Sequence, residues 1–164
     1  MTIPFRVEVV RSTRRKRSVG ARLDQGVVKV TVPSWMSRAE EEEAVREMVR
    51  RFERKVATEN VDLTARAHEL ASTHLLPLPT SIAWSDKLTA VWGLCTPHNG
   101  EVKISTRLVG FPNWVLDYVI VHELAHLVIG DHGPDFWHVV NRYPRTERAI
   151  GYLIAKSGED DASC

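Results

Sequence analysis

Residues 113–129 read Asn-Trp-Val-Leu-Asp-Tyr-Val-Ile-Val-His-Glu-Leu-Ala-His-Leu-Val-Ile, a stretch that is apolar around almost its whole helical circumference. A helix with no polar face cannot lie on a surface, so a chain carrying one must build its core around it. The spacing predicts a helix over 113–129, with Gly130 as its C-cap. Two histidines and a glutamate inside such a helix are costly to bury unless something compensates them.

The order of those residues suggests the compensation. His122-Glu123-Leu124-Ala125-His126 places its two histidines at i and i+4. At 3.6 residues per turn both imidazoles lie on one face and can reach one ion. Neutral imidazole suits zinc. Glu123 is turned about 100° from His122, where it can lean over the ion and accept a proton from bound water. A hydrogen-bonded histidine pair is the plainer alternative, but it leaves the buried glutamate unexplained.

A catalytic zinc needs a third protein ligand and an open position. His132, Glu147, His138 and Asp135 all lie downstream of the helix. His132 is favoured, because the chain can turn back at Gly130 and return it to the helix end. Glu147, between Thr146 and Arg148, reads more simply as a surface ion-pair residue.

The rest of the chain predicts an α+β domain over 1–156 and a frayed tail over 157–164. Phe5, Val7 and Val9 alternate with polar residues, as do Val19, Ala21 and Leu23. Asp24-Gln25-Gly26 reads as a turn before a strand at Val27–Val32. A small antiparallel meander over about 1–35 is the expectation. Ser37 with Glu40 forms a capping box that opens a helix over 37–57. A second helix runs from Asp62 to about Leu75, stopped by Pro77 and Pro79. Short strands are expected at Ser81–Trp84 and Val102–Ser105, with a turn at His98-Asn99-Gly100. Helical segments are expected over Pro134–Arg142 and 145–156.

The net charge is only +1, so no global field points to nucleic acid or membrane. The charge is uneven, however: residues 1–60 hold 14 Lys/Arg against 9 Asp/Glu, and residues 61–164 hold 8 against 12. Arg14, Arg15, Lys16 and Arg17 concentrate the basic excess between two expected strands. An exposed hairpin tip explains them most simply, and a nucleic-acid contact is the alternative. The two cysteines, Cys95 and Cys164, make no disulfide framework and suit a reducing compartment. With no apolar leader and no run of membrane-spanning length, a soluble cytoplasmic protein is expected. Cys95 has no basic neighbour and reads as a small core residue. Trp84, Trp92, Trp114 and Trp137 read as core, and His68 and His74 as ordinary helix residues.

Taken together, several segments resemble one family. They are Trp92-Gly93-x-Cys95, Ile104-Ser105-x-Arg107-Leu108, Pro112, Leu116 to Leu127 and His132-Gly133-Pro134-x-Phe136-Trp137. With Arg14–Arg17 and Val32-Pro33, they resemble the YgjP-like metallopeptidases, minimal zincins related to the SprT-like and WLM groups. The resemblance covers nearly the whole chain. It implies a zincin-like α+β fold, zinc on His122, His126 and His132, Glu123 as catalytic acid/base, and the Phe136-Trp137 pair packed beneath the site. It also implies a peptide or protein substrate. Two positions depart from the family pattern: Val91 stands where an Arg is usual, and Leu94 where a Ser is usual.

In the resulting mechanism, zinc-activated water attacks a carbonyl while Glu123 moves the proton. Tyr143, His138, Arg142 and Tyr118 are candidate donors to the developing oxyanion. Val102–Ser105, if an exposed edge, could pair with an extended peptide. Two other readings compete with the peptidase. One is a zinc hydrolase of nucleotide phosphoanhydrides, weakened by the lack of a phosphate-cradling glycine loop. The other is a non-catalytic, zinc-stabilised module that binds nucleic acid through Arg14–Arg17.

Overall fold

The computed structural model describes residues 6–157, and the chain divides at Ala57 and Thr58 into two compact units. Phe5 and the tail beyond Ser157 lie outside the described residues.

The first unit contains β1 (Arg6–Ser12), β2 (Gly20–Asp24), β3 (Val27–Pro33) and all but the last two residues of α1 (Arg38–Glu59). Val28, Val30 and Val32 alternate with Lys29 and Thr31, and all three valines are fully buried. Val45, Met48 and Phe52 of α1 pack against them. The turn at Gln25-Gly26 carries positive φ at both residues, the hairpin geometry whose twist matches the strands it joins. The capping box also forms: the Ser37 N–H donates to Glu40 Oε2 at 2.9 Å, and the Glu40 N–H to Ser37 Oγ at 3.3 Å.

The expected antiparallel meander does not form. The strand order is β1-β3-β2, with β2 antiparallel to β3 and β1 parallel to it, Arg6 opposite Val27 and Ser12 opposite Pro33. Alternation marks a strand but not its neighbour. The three valines make β3 the strand that gains most from cover on both sides, so it takes the centre. Residues 13–19, with the basic cluster, are therefore a crossover between the two outer strands and not a hairpin tip.

The second unit holds α2 (Leu63–His74), β4 (Ser81–Ser85), β5 (Gly93–Thr96), β6 (Glu101–Ser105), a 3-10 turn (Thr106–Leu108), α3 (Asn113–His126), α4 (Pro134–Val140) and α5 (Thr146–Ser157). Asp62 caps α2 by accepting the Ala65 N–H at 2.9 Å. In the sheet β6 is central, parallel to β4 and antiparallel to β5. The expectation of an exposed edge at Val102–Ser105 is thus corrected: Val102, Ile104 and Ser105 are buried, and the free edges belong to β4 and β5.

α3 touches α2, α4, α5, β5 and β6, and every residue from Val115 to Ala125 is buried. It ends at His126, three residues short of the expected Ile129. Beyond it the chain tightens, with the Leu127 N–H bonding to Leu124 O and the Val128 N–H to Ala125 O. His126 Nδ1 bonds to Ile129 O at 2.9 Å and draws that segment inward. Gly130 does not take the left-handed conformation expected of a C-cap. No described helix is long and apolar enough to cross a membrane.

One ion pair fixes α3 against α2. Arg66 donates from Nε to Asp117 Oδ1 at 2.6 Å and from Nη2 to Oδ2 at 2.8 Å. The bidentate bond holds the Arg66 guanidinium charge above its ordinary pKa. Asp117→Ala should lower stability by about 2–3 kcal/mol, less than a fully buried broken pair because the Arg66 side chain is 34% exposed. Urea unfolding at unchanged m-value measures this, and a loss below about 0.5 kcal/mol would show that the pair does not hold the helices together.

Candidate metal centre

The i and i+4 spacing places His122 and His126 on one side of the last turns of α3. The segment after the helix then returns His132 to the same point. The three Nε2 atoms lie 3.2 Å (His122–His126), 3.2 Å (His126–His132) and 3.0 Å (His122–His132) apart. They form a group that could hold a metal ion. Burial grades across it: His122 is buried, His126 half-buried and His132 exposed, so the group opens to solvent on the His132 side.

Phe136 of α4 forms the floor beneath the three rings. It is fully buried, stacked on His126 at 4.5 Å and set edge-on to His122 at 4.8 Å and His132 at 4.7 Å between centroids. Trp137 lies 6.3 Å from His122 and 6.1 Å from His132. Ring orientation is set from behind. His126 Nδ1–H donates to Ile129 O, which leaves its Nε2 with a lone pair facing the cluster. His122 Nδ1 lies 3.3 Å from Tyr118 Oη. Burial, and the proximity of His126 and His132, lower the His122 pKa to about 3, so its ring stays neutral. Burial also lowers that of His126.

Glu123 sits beside this cluster and is 1% exposed. Its Oε1 is buried without a hydrogen-bond partner. Burial pushes its carboxyl up to about 8, opposed by a backbone N–H bond from Cys95. Gly93, across from it on β5, has a specific reason to be glycine: a Cβ there would collide with the Glu123 carboxylate. Sequence reasoning did not single out Gly93 as a site residue, because the close approach joins positions thirty residues apart and leaves no local pattern.

These residues fit a zinc ion. Nitrogens bound at about 2.0–2.1 Å to one tetrahedral zinc lie about 3.3 Å apart, close to the observed separations. Three neutral imidazoles suit that metal. The orphaned Glu123 Oε1 is a polar atom for which a bound water would supply the missing partner.

The other candidates are not brought to this point. Tyr143 Oη donates to Trp114 O at 3.0 Å, two helical turns before His122. Burial and Asp117 push that phenol up to about 12. The Tyr143 hydroxyl thus ties α3 to the segment after α4. Arg142 donates to the carbonyls of His74 and Leu75 at the end of α2. His138, Asp135 and Glu147 are exposed and stand outside the histidine group. Only Tyr118 of the four oxyanion candidates touches a cluster histidine, and it does so from behind. Cys95 is a free, half-buried thiol pushed up to about 11 by burial and the Glu123 charge, so it stays protonated. Leu94 lies between Gly93 and Cys95 and, by strand alternation, faces away from Glu123.

A crystal structure of the metallopeptidase zymogen of Pyrococcus abyssi abylysin has a similar fold, with a TM-score of 0.52 at 16% identity over 59% of this chain and 96% of that one. No curated protein sequence matches the chain. The family model described as the YgjP-like metallopeptidase domain matches residues 21–150, which include parts of both compact units. The chain belongs to the YgjP-like metallopeptidase family.

Proposed function

We propose that the chain is a zinc-dependent peptidase in which His122, His126 and His132 hold the metal and Glu123 is the acid/base. The observation that carries this reading is the convergence of three Nε2 atoms at 3.0–3.2 Å beside a buried carboxylate oxygen that has no partner. A zinc ion in this position would polarise a peptide carbonyl and make water a nucleophile near neutral pH.

The protein's own groups supply the rest. Glu123 takes the proton of the attacking water and returns it to the leaving amine. The cation beside it would draw its raised pKa back down, so that it starts as a base. The Cys95 N–H and the missing Cβ of Gly93 fix where that carboxylate stands. Among the described residues no fourth His, Cys, Asp or Glu completes the group, as a closed structural zinc would require. The substrate chain would lie along the free edge of β5. The bonding pattern with β6 turns the main-chain groups of Gly93 and the Cys95 carbonyl outward from the sheet, while the Cys95 N–H is taken by Glu123.

Purified chain should carry one zinc, and His132→Ala should weaken zinc binding at least tenfold. Glu123→Gln should keep the zinc and lose about 10²–10⁴-fold in peptide hydrolysis. Metal analysis beside a broad peptide screen checks both, and a Glu123→Gln variant with full activity would overturn the assignment. Tyr118→Phe removes the group behind His122 Nδ1 and should cost up to about tenfold in zinc affinity with the fold intact, read by chelator competition.

Gly93→Ala should lower stability by about 1–3 kcal/mol through the clash with Glu123. The same change in a Glu123→Ala background should cost much less. Equal costs in the two backgrounds, measured by denaturant unfolding, would refute the contact.

A further inference from the structure

The crossover from β1 to β2 carries Arg14, Arg15, Lys16 and Arg17, and the metal cluster makes no use of it. Arg14, Lys16 and Arg17 are exposed. Arg15 is half-buried, with Nη1 3.4 Å from Ser18 Oγ and its guanidinium lying over Gly20. Several other cations of the same unit are matched. Arg11 pairs with Glu41 at 2.7 Å, Lys29 with Asp24 at 3.0 Å, and Arg54 with Glu47 at 3.4 Å. None of the four crossover cations forms an ion pair among the described residues. Four adjacent like charges repel one another, and an anionic partner would relieve that repulsion.

Trp35 supplies the second observation. It follows β3, is 62% exposed, and donates its indole N–H to the Lys16 carbonyl at 3.0 Å. An aromatic ring is thus fixed on the basic segment with its polar handle already used. A tryptophan serving a bilayer interface keeps its N–H for the wet headgroup region. Here the ring surface is what remains to be offered, and that suits the flat face of a base.

We propose that Arg14–Arg17 and Trp35 form a binding site for single-stranded nucleic acid, the cations meeting phosphates and the indole stacking on a base. Groove-tracking cations with an exposed ring are the arrangement by which sequence-tolerant single-strand binders work. This proposal does not rest on the peptidase reading.

Fluorescence anisotropy of the full chain with labelled oligothymidylate, titrated over a range of salt, tests this. Contact with three or four phosphates gives a log–log salt slope of about −2 to −3. The triple variant Arg14→Ser/Lys16→Ser/Arg17→Ser changes only exposed side chains, and it should bind at least tenfold more weakly with a flatter slope. Trp35→Ala should weaken binding by about five- to a hundredfold, and Trp35→Phe should recover part of that loss. Thermal melting of each variant reports whether the fold is retained. The proposal is overturned by absence of binding at low salt, by Trp35→Ala binding as tightly as the native chain, or by Trp35→Phe binding as weakly as Trp35→Ala. Tighter capture by anionic phospholipid vesicles than by the oligonucleotide would overturn it in favour of a membrane.

Discussion

Burying two imidazoles and a carboxylate in the most enclosed helix of the molecule is unfavourable unless each polar atom has a partner. His122 and Glu123 are 2% and 1% exposed, yet around them α3 is apolar on every side. Nδ1 of His122 and of His126 is provided for by Tyr118 and by the Ile129 carbonyl. The three Nε2 atoms face one another, and Glu123 Oε1 has no hydrogen-bond partner. A single cation with one water would meet all four atoms at once. The remainder of the second unit can be understood as the means of holding that arrangement still. Phe136 fills the space under the three rings, Arg66 grips Asp117 from α2, and Tyr143 bonds to Trp114 at the start of the helix.

Much of this was legible in the sequence, for a physical reason. Features written within one helical turn survive folding because tertiary packing has little reason to alter them. The Ser37–Glu40 capping box, the Asp62 cap, the buried α3 and the shared face of His122 and His126 are all of that kind. His132 was within reach because the chain turns back soon after His126. The chemistry proposed for His122, Glu123 and His126 needs no more than a helix to be suggested.

What the sequence concealed is a matter of partners distant along the chain. Alternation in β1 and β2 says that each has a buried side, and it is silent on β3 lying between them. The same silence hides the central place of β6, which moves the free edge to β5. Tyr143 was a reasonable oxyanion candidate by residue type, but its hydroxyl is committed to a backbone carbonyl that only the packing of the following segment supplies. The end of α3 was misplaced because apolar periodicity continues through Ile129, while the His126 bond to the Ile129 carbonyl bends the chain there. Gly93 is the clearest case. Nothing in its neighbours distinguishes it from a strand glycine of convenience, and its necessity comes from a carboxylate on another element.

That contact also links the two halves of the proposed chemistry. Glu123 takes a backbone hydrogen bond from Cys95 and lies against Gly93, so its carboxylate is registered to β5 and not merely to its own helix. A peptide that paired with the free edge of β5 would be aligned by the same strand that positions the acid/base. The distance between Glu123 and a scissile carbonyl would then depend on main-chain geometry alone, with few rotatable side-chain bonds between them. Catalysis by positioning is sensitive to errors of about an ångström. In the proposed arrangement one rigid strand would serve both carboxylate and substrate and keep that error small, with Gly93 leaving room for the Glu123 carboxylate beside it.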